Sequence, residues 1–153
     1  MKLSILITLL NEELVLAQTH KAISEKLDSM LESEELSDYE ILYIDDGSRD
    51  KTLELIDAIA IENHRVKYIS FSRNFGRESG ILAGFKYATG DAVMVMEGVL
   101  QPPPYLIPLF VEAYKEGYDI VSGQRSREGE SMIGSFFARC FYAFSNHSMD
   151  VQL

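Results

Sequence analysis

The stretch Asp91–Pro104, with the sequence DAVMVMEGVLQPPP, decides how the rest of the chain is interpreted. Ala92 to Met96 is a continuous apolar run, which is typical of a strand buried on both faces of a parallel sheet. The run ends in the carboxylate of Glu97, and a row of prolines follows shortly afterwards. In open α/β sheets, ligands bind outside the carboxyl ends of the strands. Glu97 is therefore either a functional group at that edge or simply the polar cap of the strand.

On both sides of this stretch, strand-like apolar runs alternate with segments of helical periodicity. Strands are predicted at 3–10, 41–44, 66–71, 92–96 and 119–122, and helices at 11–31, 50–60, 77–88 and 105–116. Asn11 and Asp50 are the expected N-caps of the first two helices. Gly80 and Gly84 in the third helix suggest close packing against a neighbour. The alternation predicts βαβ units with right-handed crossovers.

The predicted fold class is therefore α/β, with a doubly wound, mainly parallel sheet that carries helices on both faces. Residues 1–153 are expected to form a single domain, which agrees with the usual size of one. One apolar residue from each of four neighbouring strands is expected to be deeply buried. These residues are Leu6, Ile44, Ile69 and Val95.

The amino-acid composition indicates which classes of binding partner and which cellular compartment to expect. The net charge of −10 argues against nucleic acid, whose phosphates require a basic surface. The single cysteine, Cys140, excludes an internal disulfide and suits a reducing compartment. The sequence begins directly with a strand-like run, and no apolar run approaches the length of a membrane span. We expect a cytoplasmic chain, or one attached peripherally to the inner face of the membrane.

Four successive predicted strands end in polar residues. These sets are Asn11-Glu12, Asp45-Asp46, Arg73-Asn74, and Glu97 with Gln101. Helix capping could explain one or two of them, but four at the same edge of a parallel sheet predict a ligand cleft. No glycine fingerprint of a dinucleotide fold follows the first strand, and no phosphate loop is present.

Five blocks occur in an order and spacing that resemble those of a known family. They are LSILITLLNEE (3–13), YEILYIDDGSRDKT (39–52), ISFSRNFGRESGILAGFKYATGDAVMVME (69–97), LQPPP (100–104) and GYDIVSGQRSREGES (117–131). In combination they resemble family 2 glycosyltransferases of the GT-A fold, a Rossmann-like nucleotide-sugar-binding domain. The resemblance is to the catalytic domain of polyprenyl-phosphate sugar transferases, the group similar to dolichyl-phosphate mannose synthase.

The resemblance implies transfer of a hexose from a UDP- or GDP-linked sugar to a polyprenyl phosphate or glycan acceptor. It implies that three blocks bind the nucleotide: the first lies along it, the second holds the base and ribose, and the third lies beside the diphosphate. The matching residues are Thr8, Leu10, Asn11 and Glu12, then Asp45 and Asp46, then Arg73 and Asn74. Arg125 and Arg127 match residues that meet the acceptor phosphate or the diphosphate, although they could simply form a solvated loop. The catalytic residue is left unassigned.

The central stretch departs from the family pattern Asp-Ala-Asp-Leu-Gln, whose carboxylates and glutamine hold Mg²⁺ or Mn²⁺. Here it reads Glu97-Gly98-Val99-Leu100-Gln101. Glu97 and Gln101 keep oxygen donors, but Val99 offers none to a hard cation. The resemblance therefore implies a degenerate site that holds the metal weakly, or only together with the nucleotide.

Family members also continue beyond a segment such as 148–153 into a loop with the catalytic base and into membrane helices, so the matched part is expected to be truncated. The aromatic segment Met132–Phe144 could pack in the core, lie at a membrane interface or form a homo-oligomer. Two functions remain open: a transferase that uses a metal, and a nucleotide-sugar-binding module with weak or no turnover.

Overall fold

The computed structural model describes residues 1–97 and 102–122, with only the backbone at Glu97. The fold belongs to the compact unit Met1–Val121; the second unit, Ser122–Leu153, lies outside the described residues apart from Ser122. The strands are β1 Lys2–Leu9, β2 Asp38–Asp45, β3 Val66–Ser70 and β4 Ala92–Glu97. The helices are α1 Leu16–Glu32, α2 Thr52–Glu62, α3 Arg77–Tyr87 and α4 Ile107–Lys115, with a short 3₁₀ turn at Pro104–Leu106.

The four strands form one parallel sheet in the order β3-β2-β1-β4. This arrangement confirms the α/β prediction. The strand predicted at 119–122 does not form: these residues have no regular structure, and Ile120 is 88% exposed. An apolar pair between polar residues cannot form a strand without a neighbour to accept its hydrogen bonds, and no described strand takes that role.

The side chains of the strands alternate between two apolar layers, as the pleat requires. Ile5, Ile7 and Tyr43 belong to the larger layer, which also contains buried residues of α1, α2 and α4. Leu6 and Ile44 belong to the smaller layer, which α3 covers. Helices therefore pack on both faces of the sheet, as the sequence predicts.

Close packing of α3 on the sheet confirms the expectation from its two glycines. A Cβ on Gly80 would lie 3.2 Å from methyl groups of Thr8 and Ile44, and a Cβ on Gly84 would lie 2.9 Å from those of Leu6. Leu6 and Ile44 are fully buried under this helix.

The expected deep burial of Ile69 and Val95 is wrong, because both are only partly buried. They lie on β3 and β4, the outer strands of the described sheet, whereas α3 packs over the two central strands. An apolar residue on an outer strand therefore receives less cover from the same helix.

The first two helix starts also differ from the prediction. Asn11 is not the N-cap of α1, which begins at Leu16; Asn11 has a φ of +56°, whereas an N-cap residue has extended backbone. Lys51, not Asp50, occupies the cap position of α2. Asp50 nevertheless accepts the Thr52 N–H through Oδ1 at 3.0 Å, so the predicted stabilisation comes from the preceding residue.

Candidate functional site

The carboxyl edge of the sheet brings the predicted polar residues together. Leu9, Asp45 and Ser70 are level in the register, and Glu97 pairs with Thr8. Three loops follow these strand ends: the first loop (10–15), the second loop (46–51) and the third loop (71–76). The backbone thus places all four polar strand ends side by side.

Five hydrogen bonds join the first loop to the second loop and to Thr52 at the start of α2, and in each a side chain accepts a backbone N–H. The pairs, donor first, are Asn11 to Ser48 Oγ (2.9 Å), Arg49 to Asn11 Oδ1 (2.8 Å), Glu12 to Thr52 Oγ1 (2.8 Å), Glu13 to Asp50 Oδ2 (3.1 Å) and Lys51 to Glu13 Oε2 (2.9 Å). Asn11, whose backbone is left-handed, donates its own N–H to Ser48 and accepts the Arg49 N–H through its side chain. Because donors and acceptors alternate between the two segments, displacement of either one would break several of these hydrogen bonds.

The acid Asp50 in this contact stays ionised to lower pH than an ordinary aspartate. Burial opposes ionisation, but hydrogen bonds from Thr52 and from the Glu13 N–H outweigh it and lower the pKa of Asp50. Its carboxylate therefore remains an acceptor between the two segments at more acidic pH than an ordinary aspartate would.

Asp45 is 1% exposed, and both of its carboxylate oxygens have protein partners. Oδ1 accepts the N–H of Ser48 at 3.1 Å, and Oδ2 accepts the hydroxyl of Ser70 at 3.1 Å. Asp45 therefore links the second loop to the end of β3. Each carboxylate oxygen can accept a second hydrogen bond, so acceptor capacity remains for a ligand.

Asp46 is 6% exposed and links the second loop to the third. Its Oδ1 accepts the N–H of Phe75 at 2.7 Å, and its Oδ2 accepts the N–H of Gly76 at 3.0 Å. Charge-assisted bonds of this kind are stronger than those between neutral groups. The carboxylate thus lies directly before the start of α3.

Arg73 provides a positive charge on the exposed side of the hydrogen-bonded second and third loops. Its guanidinium carbon lies 4.6 Å from the ring centroid of Phe75, and the side chain is exposed. Within residues 1–97 and 102–122, Arg73 makes no ion pair. Asn74 beside it accepts the Gly76 N–H through Oδ1 at 2.9 Å. The edge therefore combines acceptors on buried acids with an accessible cation.

The remaining residues of the predicted nucleotide site lie along the same edge. Thr8 is half-buried at the end of β1, Leu10 is 39% exposed, and Glu12 is half-buried. All eight residues predicted to bind the nucleotide are thus placed by three neighbouring loops and strand ends. Their contacts with a ligand stay a prediction.

Several predicted residues lie outside the described part of the chain. They are Gln101, Arg125, Arg127 and the aromatic segment Met132–Phe144, together with the side chain of Glu97. In the described ranges, no three His, Cys, Asp or Glu side chains group in a way that could hold a metal ion. No helix in those ranges has the length and apolar character needed to cross a membrane.

The sequence reasoning missed the residues that hold the loops together. Ser48, Ser70 and Thr52 supply hydroxyls, Glu13 supplies a carboxylate, and Gly47 permits close approach of the third loop. The only sequence signal was the position of Gly47 and Ser48 directly after two acids. Their partners lie far away along the chain, so local patterns could not identify them.

Comparison with known proteins identifies the family of this chain. Residues 4–143 match the family described as Glycosyl transferase family 2. CsbB of Bacillus subtilis (strain 168) is 51% identical over 116 residues, which are 76% of this chain and 35% of CsbB. The uncharacterized glycosyltransferase YkcC of the same organism is 38% identical over 151 residues, covering 98% of this chain and 45% of YkcC.

The bactoprenol glucosyl transferase of Shigella phage SfX is 36% identical over 149 residues, covering 95% of this chain and 47% of that protein. The chain thus spans between about a third and a half of the length of these relatives. The crystal structure of S. aureus TarS 1-349 in complex with UDP-GlcNAc matches 85% of this chain and 39% of its own, with 20% identity and a TM-score of 0.48. The family predicted from the five sequence blocks is confirmed: this chain belongs to glycosyl transferase family 2.

Proposed function

We propose that this domain binds a nucleotide-diphosphate sugar at the carboxyl edge of its sheet and transfers the hexose to a polyprenyl phosphate. One observation carries the proposal: the second loop joins the first and third loops, and Arg73 presents an exposed cation beside the buried acids Asp45 and Asp46. A ligand with hydrogen-bond donors at one end and phosphates at the other matches this edge.

The nucleoside end of the ligand is assigned to the first two loops. Asp45 and Asp46 keep unused acceptor capacity, which can receive a base N–H or ribose hydroxyls. The nucleotide is proposed to lie along the first block, whose residues are Thr8, Leu10, Asn11 and Glu12. The mutual hydrogen bonds of the two loops support this assignment because they fix the acceptors before the ligand arrives.

The phosphate end is assigned to Arg73 and Asn74. A fixed guanidinium offsets the charge of a diphosphate and can donate two hydrogen bonds to it. Arg125 and Arg127 are proposed to meet the acceptor phosphate or the diphosphate. The bactoprenol glucosyl transferases among the relatives support a polyprenyl phosphate as the acceptor class.

The proposed reaction is a direct displacement at the anomeric carbon. A phosphate oxygen of the acceptor forms the new bond to that carbon, the bond to the β-phosphate oxygen breaks, and the nucleoside diphosphate leaves. The acceptor phosphate is already ionised, so positioning and stabilisation of the leaving group matter more than a base. Arg73 would hold the leaving diphosphate while the loops hold the nucleoside.

A divalent cation, Mg²⁺ or Mn²⁺, fits this site only in part. Glu97 ends β4 beside Thr8 and Gln101 follows shortly after it, and both residues have the oxygen donors that such cations prefer. Two protein donors are too few for a cage, so the cation would depend on the ligand's phosphates. Once bound, the cation would neutralise charge that develops on the leaving diphosphate.

The second candidate function is a module that binds nucleotide sugar with weak or no turnover. Val99 favours it, because this residue stands where the family pattern has a carboxylate and offers no ligand to a metal. In that case the carboxyl edge of the sheet would still bind the nucleotide, but transfer of the sugar would be slow or absent. Metal dependence of binding and transfer separates the two functions.

The proposed acceptor also bears on where this domain works in the cell. Use of a lipid phosphate acceptor supports a domain that works at the inner face of a membrane. Homo-oligomer formation through Met132–Phe144 stays a prediction.

Calorimetric titration of UDP, GDP and their sugars, each with and without Mn²⁺, tests the proposal directly. We expect one nucleotide to bind, with tighter binding of the diphosphate than of its nucleoside. Absence of binding by every nucleotide would contradict the proposed function. Binding without sugar transfer to polyprenyl phosphate would favour the second candidate.

A further inference from the structure

We infer that Asp46 is a positioning residue that fixes Arg73 for the ligand's phosphates by holding the third loop. The inference rests on the proposed function, because it concerns how the same edge receives a diphosphate. It adds a second role to Asp46, whose family-implied role is a direct contact with the base or ribose.

The first step is the contact between Asp46 and the third loop. Both carboxylate oxygens accept backbone N–H groups there, from Phe75 at 2.7 Å and from Gly76 at 3.0 Å. The side chain is 6% exposed, so little water is available to replace either bond. Loss of the carboxylate would leave the Phe75 N–H without this acceptor and the Gly76 N–H with only its bond to Asn74 Oδ1 at 2.9 Å.

The second step connects this contact to Arg73. The ring of Phe75, whose N–H is bound to Asp46, lies under the guanidinium of Arg73. The edge of that ring also meets Phe71, with ring centroids 5.6 Å apart. A displaced Phe75 backbone would therefore move the surface on which the guanidinium rests.

The third step concerns the backbone of Arg73 itself. Gly47, the residue after Asp46, lies so close to Arg73 that a Cβ on Gly47 would be 2.4 Å from the Arg73 carbonyl carbon. The pair Asp46-Gly47 thus holds the third loop at two places, through two hydrogen bonds and through direct backbone contact.

The fourth step concerns the anion site that a helix start could otherwise provide. The N–H groups of Phe75 and Gly76 lie directly before α3, where backbone donors and the helix dipole favour negative charge. The Asp46 carboxylate already occupies these donors. These two N–H groups are therefore not available to a ligand phosphate, which leaves the exposed guanidinium of Arg73 as the charged donor that the third loop offers.

The experiment is a double-mutant cycle on Asp46→Asn and Arg73→Ala, with titration of UDP, GDP, uridine and guanosine. Asparagine keeps the size of the side chain, but its amide nitrogen cannot accept an N–H. We expect Asp46→Asn to weaken binding of the diphosphate about five- to twenty-fold. In the Arg73→Ala background, Asp46→Asn should weaken diphosphate binding by less than about two-fold. The interaction through which Asp46 is inferred to act has already been removed in that background.

The nucleosides separate positioning from direct contact. If Asp46 acts through Arg73, Asp46→Asn weakens binding of the nucleoside diphosphate by a larger factor than binding of the corresponding nucleoside. Equal weakening of both, with losses that multiply in the double mutant, overturns the inference. Asp57→Asn is the matched control, since its carboxylate accepts the Tyr68 hydroxyl at 2.9 Å on an exposed surface; we expect no change in affinity.

Amide hydrogen exchange tests the loop contact without any ligand. In Asp46→Asn, a single side-chain oxygen remains for the N–H groups of Phe75 and Gly76, so at least one of the two should exchange at least about ten-fold faster, while the N–H groups of Leu6 and Ile44 keep their protection. Unchanged exchange at Phe75 and Gly76 overturns the inference. If the wild type binds no nucleotide, the proposed function fails, and exchange alone still decides whether Asp46 holds the third loop.

Discussion

The backbone of Arg73 lies directly against Gly47: a Cβ added to Gly47 would lie 2.4 Å from the Arg73 carbonyl carbon and 2.6 Å from its Cα. Gly47 also has a φ of +76°, in the left-handed region. Both facts require glycine, one through backbone strain and one through contact. This position is where the second and third loops meet.

Gly47→Ala should therefore destabilise the protein by more than backbone strain alone explains. Strain at a positive φ costs about 1–2 kcal/mol, and displacement of the Arg73 backbone adds to this. Gly117→Ala is the matched control, because Gly117 has a φ of +99° but no atom within 4 Å of its added Cβ. Urea denaturation of both variants measures the difference; equal losses would contradict the close contact.

Asp45→Ala and Asp46→Ala should each weaken nucleotide binding by about 1–3 kcal/mol. Each removes an acceptor for a ligand N–H or hydroxyl, and each also releases protein donors in the loops. Calorimetry with UDP and GDP measures the loss, and circular dichroism checks that the fold is retained. Unchanged affinity in both variants would remove these acids from the site.

Val99→Asp should raise Mn²⁺-dependent nucleotide affinity several-fold, because it restores a carboxylate two residues after Glu97. The measurement compares wild type and variant, each with and without Mn²⁺. Val99→Asn is the control for size, since it adds an uncharged amide of similar shape. A wild type that already depends strongly on Mn²⁺ would rule out the degenerate site and favour the transferase.

The acid stability of the fold should depend on Glu40, at the opposite edge of the sheet. Its carboxylate is 2% exposed and accepts hydrogen bonds from Lys67 Nζ (2.8 Å), Ser4 Oγ (2.7 Å) and the Thr89 N–H (2.6 Å). Burial alone would raise the pKa of Glu40, but these bonds outweigh it and lower the pKa to about 2.

Because the folded pKa of Glu40 lies below its ordinary value of 4.5, the ionised form stabilises the folded state above that value. This stabilisation should disappear as the pH falls from about 4.5 to about 2. Glu40→Gln should cost up to about 3 kcal/mol at pH 7, and the difference from wild type should shrink in acid. Denaturation across pH measures it; Glu25→Gln, at an exposed pair with Lys21, should change stability by less than about 0.5 kcal/mol.

The sequence determined the architecture because its signals are local. Apolar runs of strand length, helical periodicity and two glycines predicted a parallel sheet, and the close packing of α3 at Gly80 and Gly84 agrees. The polar strand ends predicted which edge carries the site, since the carboxyl ends of parallel strands lie together. These features follow from side-chain type and spacing alone.

Only the tertiary structure decided how the site is held together. Asp46 and Phe75 are 29 residues apart, and Asn11 and Ser48 are 37 apart, so no local pattern could pair them. The same contacts explain why Asn11 adopts a left-handed backbone and does not cap α1. A loop's conformation depends on which distant donors and acceptors need partners, and that is fixed only when the strands have assembled.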